Sequence, residues 1–524
     1  MARKVVNLDA LIPRADLDEK NDSTSSPPVG GIPVTELRWG GVHQSLLRKP
    51  DFQRETDDWD VENVATLIRS LCDGHLIPAL IMWAQKDGYL FVIDGAHRLS
   101  ALIAWVNDDY GDGPVSRKFF GNDIPRKQIE AAEACRNLVR ETVGNYADVI
   151  STAINDTPQR VRTRANLASS LPTQQVHGDS DAAQTSFFAI NQRSVQINPT
   201  EQYLIEARKK ANVIAARAIL RSAMGHQYWS KFDEKKRKEI EAKAKSIYSA
   251  IFRPDSLSKG VHYLPIAGES QTGNSLRIVV DLISIATAKS ERAWTDSNDD
   301  IDGSETLRVL NQTHAAVKII SGSHGSLGLH PYIYFWSATG NHSPAAFLAA
   351  IEFFRSIENA NKMFDFVLYR ARFENILSES SDLLKHISGT QGGWKKSLAK
   401  IRGLYEEILR FLQDGKDDEY IRAVLSDRVP STKRLTTEQE SSPRISKGTK
   451  AAVRRRLVLD SSIKCWICHA KMMLDDVSHD HKVKASDGGL GNEENIEPAH
   501  GYCNTGFRNY AEKNGLSFPK DPYP

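Results

Sequence analysis

A chain of 524 residues with 40% hydrophobic and 26% charged side chains is long enough for several domains, and its near-average composition excludes collagenous, coiled-coil and wholly disordered classes. Its 68 basic and 66 acidic side chains leave a formal net charge of +2, which argues neither for nor against a polyanionic partner. The longest near-continuous apolar run, Leu76 to Ala84, is far short of the roughly 20 residues that a membrane-spanning helix needs. The N-terminus lacks the apolar core of a secretory signal, so a cytoplasmic protein with no membrane association is expected.

The fold class expected is α+β and multidomain. Residues 1–33 hold a polar Ser/Pro/Gly-containing stretch and read as a flexible lead-in. Residues 34–125 read as a compact α/β unit. Apolar residues at helical spacing run from Val61 to Cys72, a strand follows at Ala79 to Trp83, and a second strand, Tyr89 to Ile93, ends in the turn Asp94-Gly95 before a helix from His97 to Trp105.

Residues 126–430 form a large region of mainly helical period, clearest at 127–143, 201–221, 234–252, 345–377 and 394–412, with no fixed-period repeat. Within it, Ser321 to Ser337 joins a Gly/Ser loop to an aromatic cluster whose rings read as core. Residues 431–449 read as an exposed basic linker. From Ser431 to Leu459 there are eight basic residues against two acidic ones, a pattern that phosphates attract without sequence information. Residues 450–524 form the final module.

The five cysteines are Cys72, Cys135, Cys465, Cys468 and Cys503. An odd number with three crowded near the end is a poor disulfide framework and a good metal framework for a reducing compartment. Cys465-Trp-Ile-Cys468 and His500-Gly-Tyr-Cys503 are two x2-spaced pairs. Together they offer three thiolates and an imidazole for a closed, structural Zn²⁺ site, which would stabilise a module too small for a large core.

Between the pairs lie Ser478-His479-Asp480-His481, Asp487-Gly488-Gly489 and Asn495-Ile496, and Asn504 follows the last cysteine. In order and spacing this segment resembles the HNH (ββα-metal) endonucleases with zinc knuckles, over roughly Arg455 to Tyr510, with His500 where the family usually has cysteine. The resemblance implies phosphodiester hydrolysis with catalytic Mg²⁺ (or Mn²⁺). It places His481 as general base, Asp480 and Asn504 as ligands of the dication, and Asn495 as the residue that orients the base and its loop. Arg508, one helical turn after Asn504, is expected to face the scissile phosphate. His479 shares a strand face with His481 and reads more readily as a solvent-facing or core-satisfied histidine than as a ligand.

Near the other end, Phe52-Gln53-Arg54, Trp59, and the run Val92-Ile93-Asp94-Gly95-Ala96-His97-Arg98-Leu99 resemble the ParB/sulfiredoxin-like superfamily. The likeness is more particularly to the N-terminal domain of GmrSD-type modification-dependent restriction proteins, whose signature is Asp-Gly-Gln-Gln/His-Arg; Ala96 stands where Gln is usual. A further motif, Phe187 to Glu201, precedes a long helix. A helix opening at Asp94-Gly95 presents backbone N–H groups and a guanidinium to an anion. The resemblance implies a nucleotide or modified DNA there, sensed by Gln53, Arg54, Asp94, Gly95, His97 and Arg98. No Gly-x4-Gly-Lys-Ser/Thr run is present, which argues against a P-loop.

Taken together these readings point to a DNA endonuclease of foreign-DNA restriction with a nucleotide- or modification-sensing N-terminal domain. Two other readings stand beside it: a non-catalytic, nucleotide-regulated DNA-binding protein with a structural zinc module, and an NTPase. An NTP cofactor and homo-oligomer assembly stay open.

Overall fold

The computed structural model describes residues 4–15, 17, 30–51, 53, 59–119, 124, 126–152, 157–193, 199–221, 228–252, 264–268, 275–322, 324–337, 339–380, 383–384, 386–387, 394–428 and 445–523. By packing the chain divides into two units, Met1–Lys209 with Ala223–Phe232, and Lys210–Ser222 with Asp233–Pro524.

The first unit is built on a five-stranded sheet, in the order Arg14–Ala15, Leu47–Pro50, Leu90–Asp94, Leu80–Ala84, Thr173–Gln175. Leu80–Ala84 and Leu90–Asp94 pair antiparallel, and the remaining neighbours pair parallel. Leu90 to Ile93 are all buried because both faces of the sheet are covered. Leu90, Val92 and Met82 face one apolar cluster, while Phe91, Ile93 and Trp83 face another. The helix Val61–Cys72 opens on Asp60, whose side chain accepts from Asn63 N at 2.9 Å. Its buried residues Val64, Ile68 and Leu71 recur at helical spacing.

Two boundaries drawn from the sequence fall elsewhere. Residues 4–15, read as part of a flexible lead-in, supply Val6, Leu8, Leu11 and Ile12 to the main core and Arg14–Ala15 to the sheet edge. The polar stretch that prompted that reading, residues 18–29, lies outside the described residues. The helix Arg126–Thr142 belongs to the first unit, because Ala131, Ala132, Cys135 and Val139 pack into the same core as Val61–Cys72. An amphipathic helix follows whichever apolar surface it covers, and composition does not report which one that is.

In the second unit the helices include Ala211–Leu220, Glu234–Phe252, Ser275–Thr287, Ser304–Ile320, Pro344–Asn359, Met363–Glu379, Trp394–Gln413 and Asp418–Ser426. The stretch read as one helix over 345–377 is two, broken where Asn361 takes a left-handed φ of 55°. Tyr332, Tyr334 and Phe335 are buried. Tyr334 sits among Phe354, Phe373 and Tyr405, so this aromatic cluster is core.

Most of the basic linker, residues 431–444, lies outside the described residues. A helix then runs over Lys447–Ser461, opened by Ser446 accepting from Thr449 N. The last module has the order strand, strand, helix. Val477–His481 pairs antiparallel with Ile496–His500 in the register Asp480 to Glu497, and Cys503 opens a helical segment continuing through Arg508–Lys513.

This module does not hang free. Phe364 stacks on Tyr510 with ring centroids 3.8 Å apart, Tyr502 N donates to Ser326 O at 2.8 Å, and Arg455 donates to Tyr332 O and Ser378 O. The helical body therefore supplies apolar surface that a module of this size lacks alone.

Candidate metal centre and the adjoining strand face

Cys465 and Cys468 lie on a tight turn that closes through His469 N to Cys465 O at 2.8 Å and Cys465 N to Ala470 O at 3.0 Å. His469 takes a φ of 60° in that turn. His500 ends the second strand and Cys503 opens the following helix. All four side chains are buried, and their donor atoms lie within 4.8 Å of one another. His500 Nδ1 is 3.4 Å from Cys468 Sγ and 3.9 Å from Cys503 Sγ. A tetrahedral zinc ion with ordinary bond lengths needs such edges to be about 3.5–3.8 Å. The other imidazole nitrogen, Nε2, meets Lys471 O at 3.4 Å. That carbonyl favours hydrogen on Nε2 and leaves the Nδ1 lone pair toward the sulfurs, the usual device for orienting a metal-binding histidine. The residues present therefore fit a structural zinc ion.

The thiol chemistry agrees. Burial pushes the Cys468 thiol well above its ordinary value, and hydrogen bonding to Cys465 and Cys468 does the same to Cys503. Burial also opposes charge on Cys465, but hydrogen bonds from Cys468 and Cys503 outweigh it and hold that thiol well below its ordinary value. Thiols crowded in this way oppose one another's ionisation, and a dication would replace their protons. Cys72 and Cys135, in contrast, are core cysteines whose thiols burial pushes up to about 12.

On the strand Val477–His481, alternation divides the candidate residues between two faces. Asp480 points inward and is 5% exposed. Its carboxylate accepts from Arg508 Nη1 at 2.6 Å and from Trp466 Nε1 at 3.1 Å. Arg508 is also buried; it donates to the carbonyls of His481 and Lys482 and pairs with Glu512 at 3.0 Å. The expectation that Arg508 faces a scissile phosphate is corrected here. Its guanidinium turns inward and braces the strand, because a buried carboxylate and two strand carbonyls offer it partners that solvent cannot match.

His479 and His481 are on the opposite face, the first exposed and the second half-buried. Among the described residues neither imidazole makes a hydrogen bond. Asn495 crosses the loop that follows: Oδ1 accepts from Val483 N at 2.8 Å, and Nδ2 donates to Val483 O at 2.9 Å and Leu490 O at 2.8 Å. Glycine at 489 permits this approach, since a Cβ there would stand 1.8 Å from Val483 O and 2.8 Å from Asn495 Nδ2. Asn504 Nδ2 donates to Ser478 Oγ at 2.9 Å and His479 O at 3.2 Å, which leaves Oδ1 as its open acceptor. Trp466 and Ser478 lie on the Asp480 side of the strand, bonded to Asp480 and Asn504, and Gly489 lies in the loop that follows. Of these, only Gly489 carried a sequence signal, in Asp-Gly-Gly.

Each Asp480 oxygen accepts one N–H, from Arg508 or Trp466, and Asn504 keeps Oδ1 open, so this pair offers few free oxygens of its own to a cation.

In the first unit, Gly95 adopts a φ of 100° at the start of the helix Ala96–Asn107. Arg98 folds back onto the Asp94 carboxylate and donates to Pro78 O at 2.7 Å. His97 stacks on Trp59 with centroids 5.7 Å apart. Gln53 is buried beside Arg14, which donates to its carbonyl and to Asp9. Arg54, and residues 194–198 of the Phe187 to Glu201 motif, lie outside the described residues. The sequence reading missed the buried group of Asp9, Arg14 and Lys49. Its members carry no spacing signal because they meet only through the sheet edge.

Residues 40–208 match the family model of the GmrSD restriction endonuclease, N-terminal domain. The match takes in Gln53 and the Asp94 to Arg98 turn and stops one residue before the first unit's main segment ends at Lys209. No curated protein and no solved structure matches the chain. Fold and site thus define a chain with a GmrSD-type N-terminal region and a helical second unit that ends in a Cys₃His-clamped strand–strand–helix module. Among the described residues no helix is long and apolar enough to cross a membrane.

Proposed function

We propose that this protein is a DNA endonuclease of a restriction system, in which the region 40–208 senses a nucleotide or a DNA modification and the C-terminal module cuts. The observation that carries this reading is the joint occurrence, on one chain, of the GmrSD-type match and a Cys₃His-clamped module that holds His481 accessible on a braced strand.

In this reading His481 takes the proton from the attacking water. Asn495 fixes the loop that follows the base, and the Asp480–Arg508 pair holds the strand so that the imidazole keeps its direction. Lys447, Lys450, Arg454 and Arg456 are exposed on the helix leading into the module and supply positive charge for a phosphate backbone. Zinc, when bound, is structural and takes no part in the chemistry.

A second reading, a nucleotide-regulated DNA-binding protein whose zinc module does not cut, is favoured by one fact: the carboxylate expected to hold the dication is already tied to Arg508. One assay separates the two. Modified and unmodified plasmid DNA is incubated with the full chain, with and without each NTP, and with Mg²⁺, Mn²⁺ or neither, and nicking is read on a gel. The nuclease reading expects nicking that His481→Ala lowers about 10²- to 10⁴-fold while zinc content is unchanged. Tight binding without cleavage under every condition establishes the second reading instead.

A further inference from the structure

The guanidinium of Arg370, on the helix Met363–Glu379, is completely buried. Nε donates to Glu374 Oε1 at 2.7 Å, an oxygen that also accepts from Tyr334 Oη at 3.1 Å. Nη2 reaches Gly328 O at 3.4 Å, a long bond. Nη1 is buried with no hydrogen-bond partner. A buried cation with one arm unsatisfied is costly and calls for a cause.

Its surroundings supply one. Val367, one turn earlier on the same helix face, belongs to the apolar cluster that contains Cys465, Cys468 and Cys503. Gly328, whose carbonyl Arg370 meets, lies against His500, and a Cβ at Gly328 would stand 3.4 Å from His500 Cδ2. A zinc ion held by three thiolates and a neutral imidazole carries one net negative charge. Buried without a counter-charge, that centre would be poorly stabilised.

We propose that Arg370 is an outer-shell counter-charge of the Cys₃His centre, its buried cation standing next to the cluster that holds the cysteines, so that the helical body sets how tightly the module holds zinc. The proposal rests on the quartet holding zinc and stands whether or not the chain cuts DNA. Arg370 lies outside both knuckles and outside the segment 455–510 that carries the nuclease resemblance.

The test uses the full chain. Zinc content is measured by atomic spectrometry, zinc affinity by competition with a chromophoric chelator, and the sulfur-to-metal charge-transfer band after replacement with Co²⁺. The wild type is expected to hold one zinc. Arg370→Met is expected to bind zinc about 10- to 100-fold more weakly and to shift the cobalt band, whereas Glu374→Gln, which removes a competing anion, does not weaken binding. Should Arg370→Met fail to fold, Arg370→Lys carries the test, with affinity several-fold lower and a shifted band.

A zinc-free wild type would refute the metal site and this proposal with it. Arg370 variants with wild-type affinity and band would refute the proposal alone. So would a Glu374→Gln loss as large as that of Arg370→Met, since Arg370 would then be only a partner for Glu374.

Discussion

The two candidate sites differ in how their polar groups are satisfied. At the C-terminal quartet, three thiols and an imidazole converge in a buried space with no carboxylate among them. Like donors crowded in this way are stable only around a shared proton or a cation. At the N-terminal turn, Asp94 and Arg98 satisfy one another, and the remaining arm of Arg98 is taken up by Pro78 O. Asp480 and Arg508 repeat that second arrangement inside the C-terminal module. Convergent like groups mark a place prepared for a ligand, whereas complementary groups already paired mark a brace. Residue type alone does not separate the two.

The largest effect that would break this contrast comes from the quartet. Cys468→Ser, or removal of metal with a chelator, is expected to cost the module on the order of 10 kcal/mol of metal-linked stability. Hydrogen exchange over residues 463–513 should rise sharply while the helices of the second unit keep their protection. Unchanged exchange would show that packing against Phe364 and Val367 is sufficient.

The Asp480–Arg508 pair comes next. Removing either partner, by Asp480→Leu or Arg508→Met, should cost about 3–5 kcal/mol because the other charge is left buried, and the double replacement should cost less than either single one. Denaturant unfolding measures this. If Asp480 were instead a metal ligand held free of the fold, Asp480→Asn would abolish nicking with little loss of stability.

The pH dependence of zinc binding is a third effect. Cys468 and Cys503 have thiols raised well above the ordinary value, the first chiefly by burial and the second chiefly by its hydrogen bonds to the other sulfurs, whereas Cys465 is lowered. Zinc must displace the protons that the raised thiols hold, so affinity should rise as pH rises and fall as pH drops. Chelator competition at several pH values gives the slope, and a flat profile would contradict the protonated pair.

The smallest effect lies at the other site. Arg98→Ala breaks a pair whose carboxylate partner is 36% exposed, so it should cost less than about 1 kcal/mol of stability. A loss of NTP-dependent activity out of proportion to that cost would show that Arg98 leaves Asp94 to meet a ligand.

Some of this was legible in the chain because it is local. The x2 spacing of Cys465-Cys468 and His500-Cys503 identifies the quartet, since a two-residue gap sets both donors on one turn. The helices at 234–252 and 394–413 follow from apolar period, and the Asp-Gly-Gly loop follows from residue type, with Gly488 taking a left-handed φ of 87°. Other features were illegible because they depend on partners far apart in sequence. Whether residues 4–15 join the sheet depends on a strand at 47–50, and the inward turn of Arg508 depends on a carboxylate 28 positions earlier.

By itself, then, the sequence determined the ligand set, the helical periods and the Asp94-Gly95 turn, each a property of residues within a few positions of one another. Only the tertiary structure decided which charges are consumed as braces and which stay open, and that Val367, on the helix of the buried Arg370, packs with cysteines almost a hundred positions further along the chain. A charge's role depends on what its burial costs and on which opposite charge meets it there, and neither is set until the chain has packed.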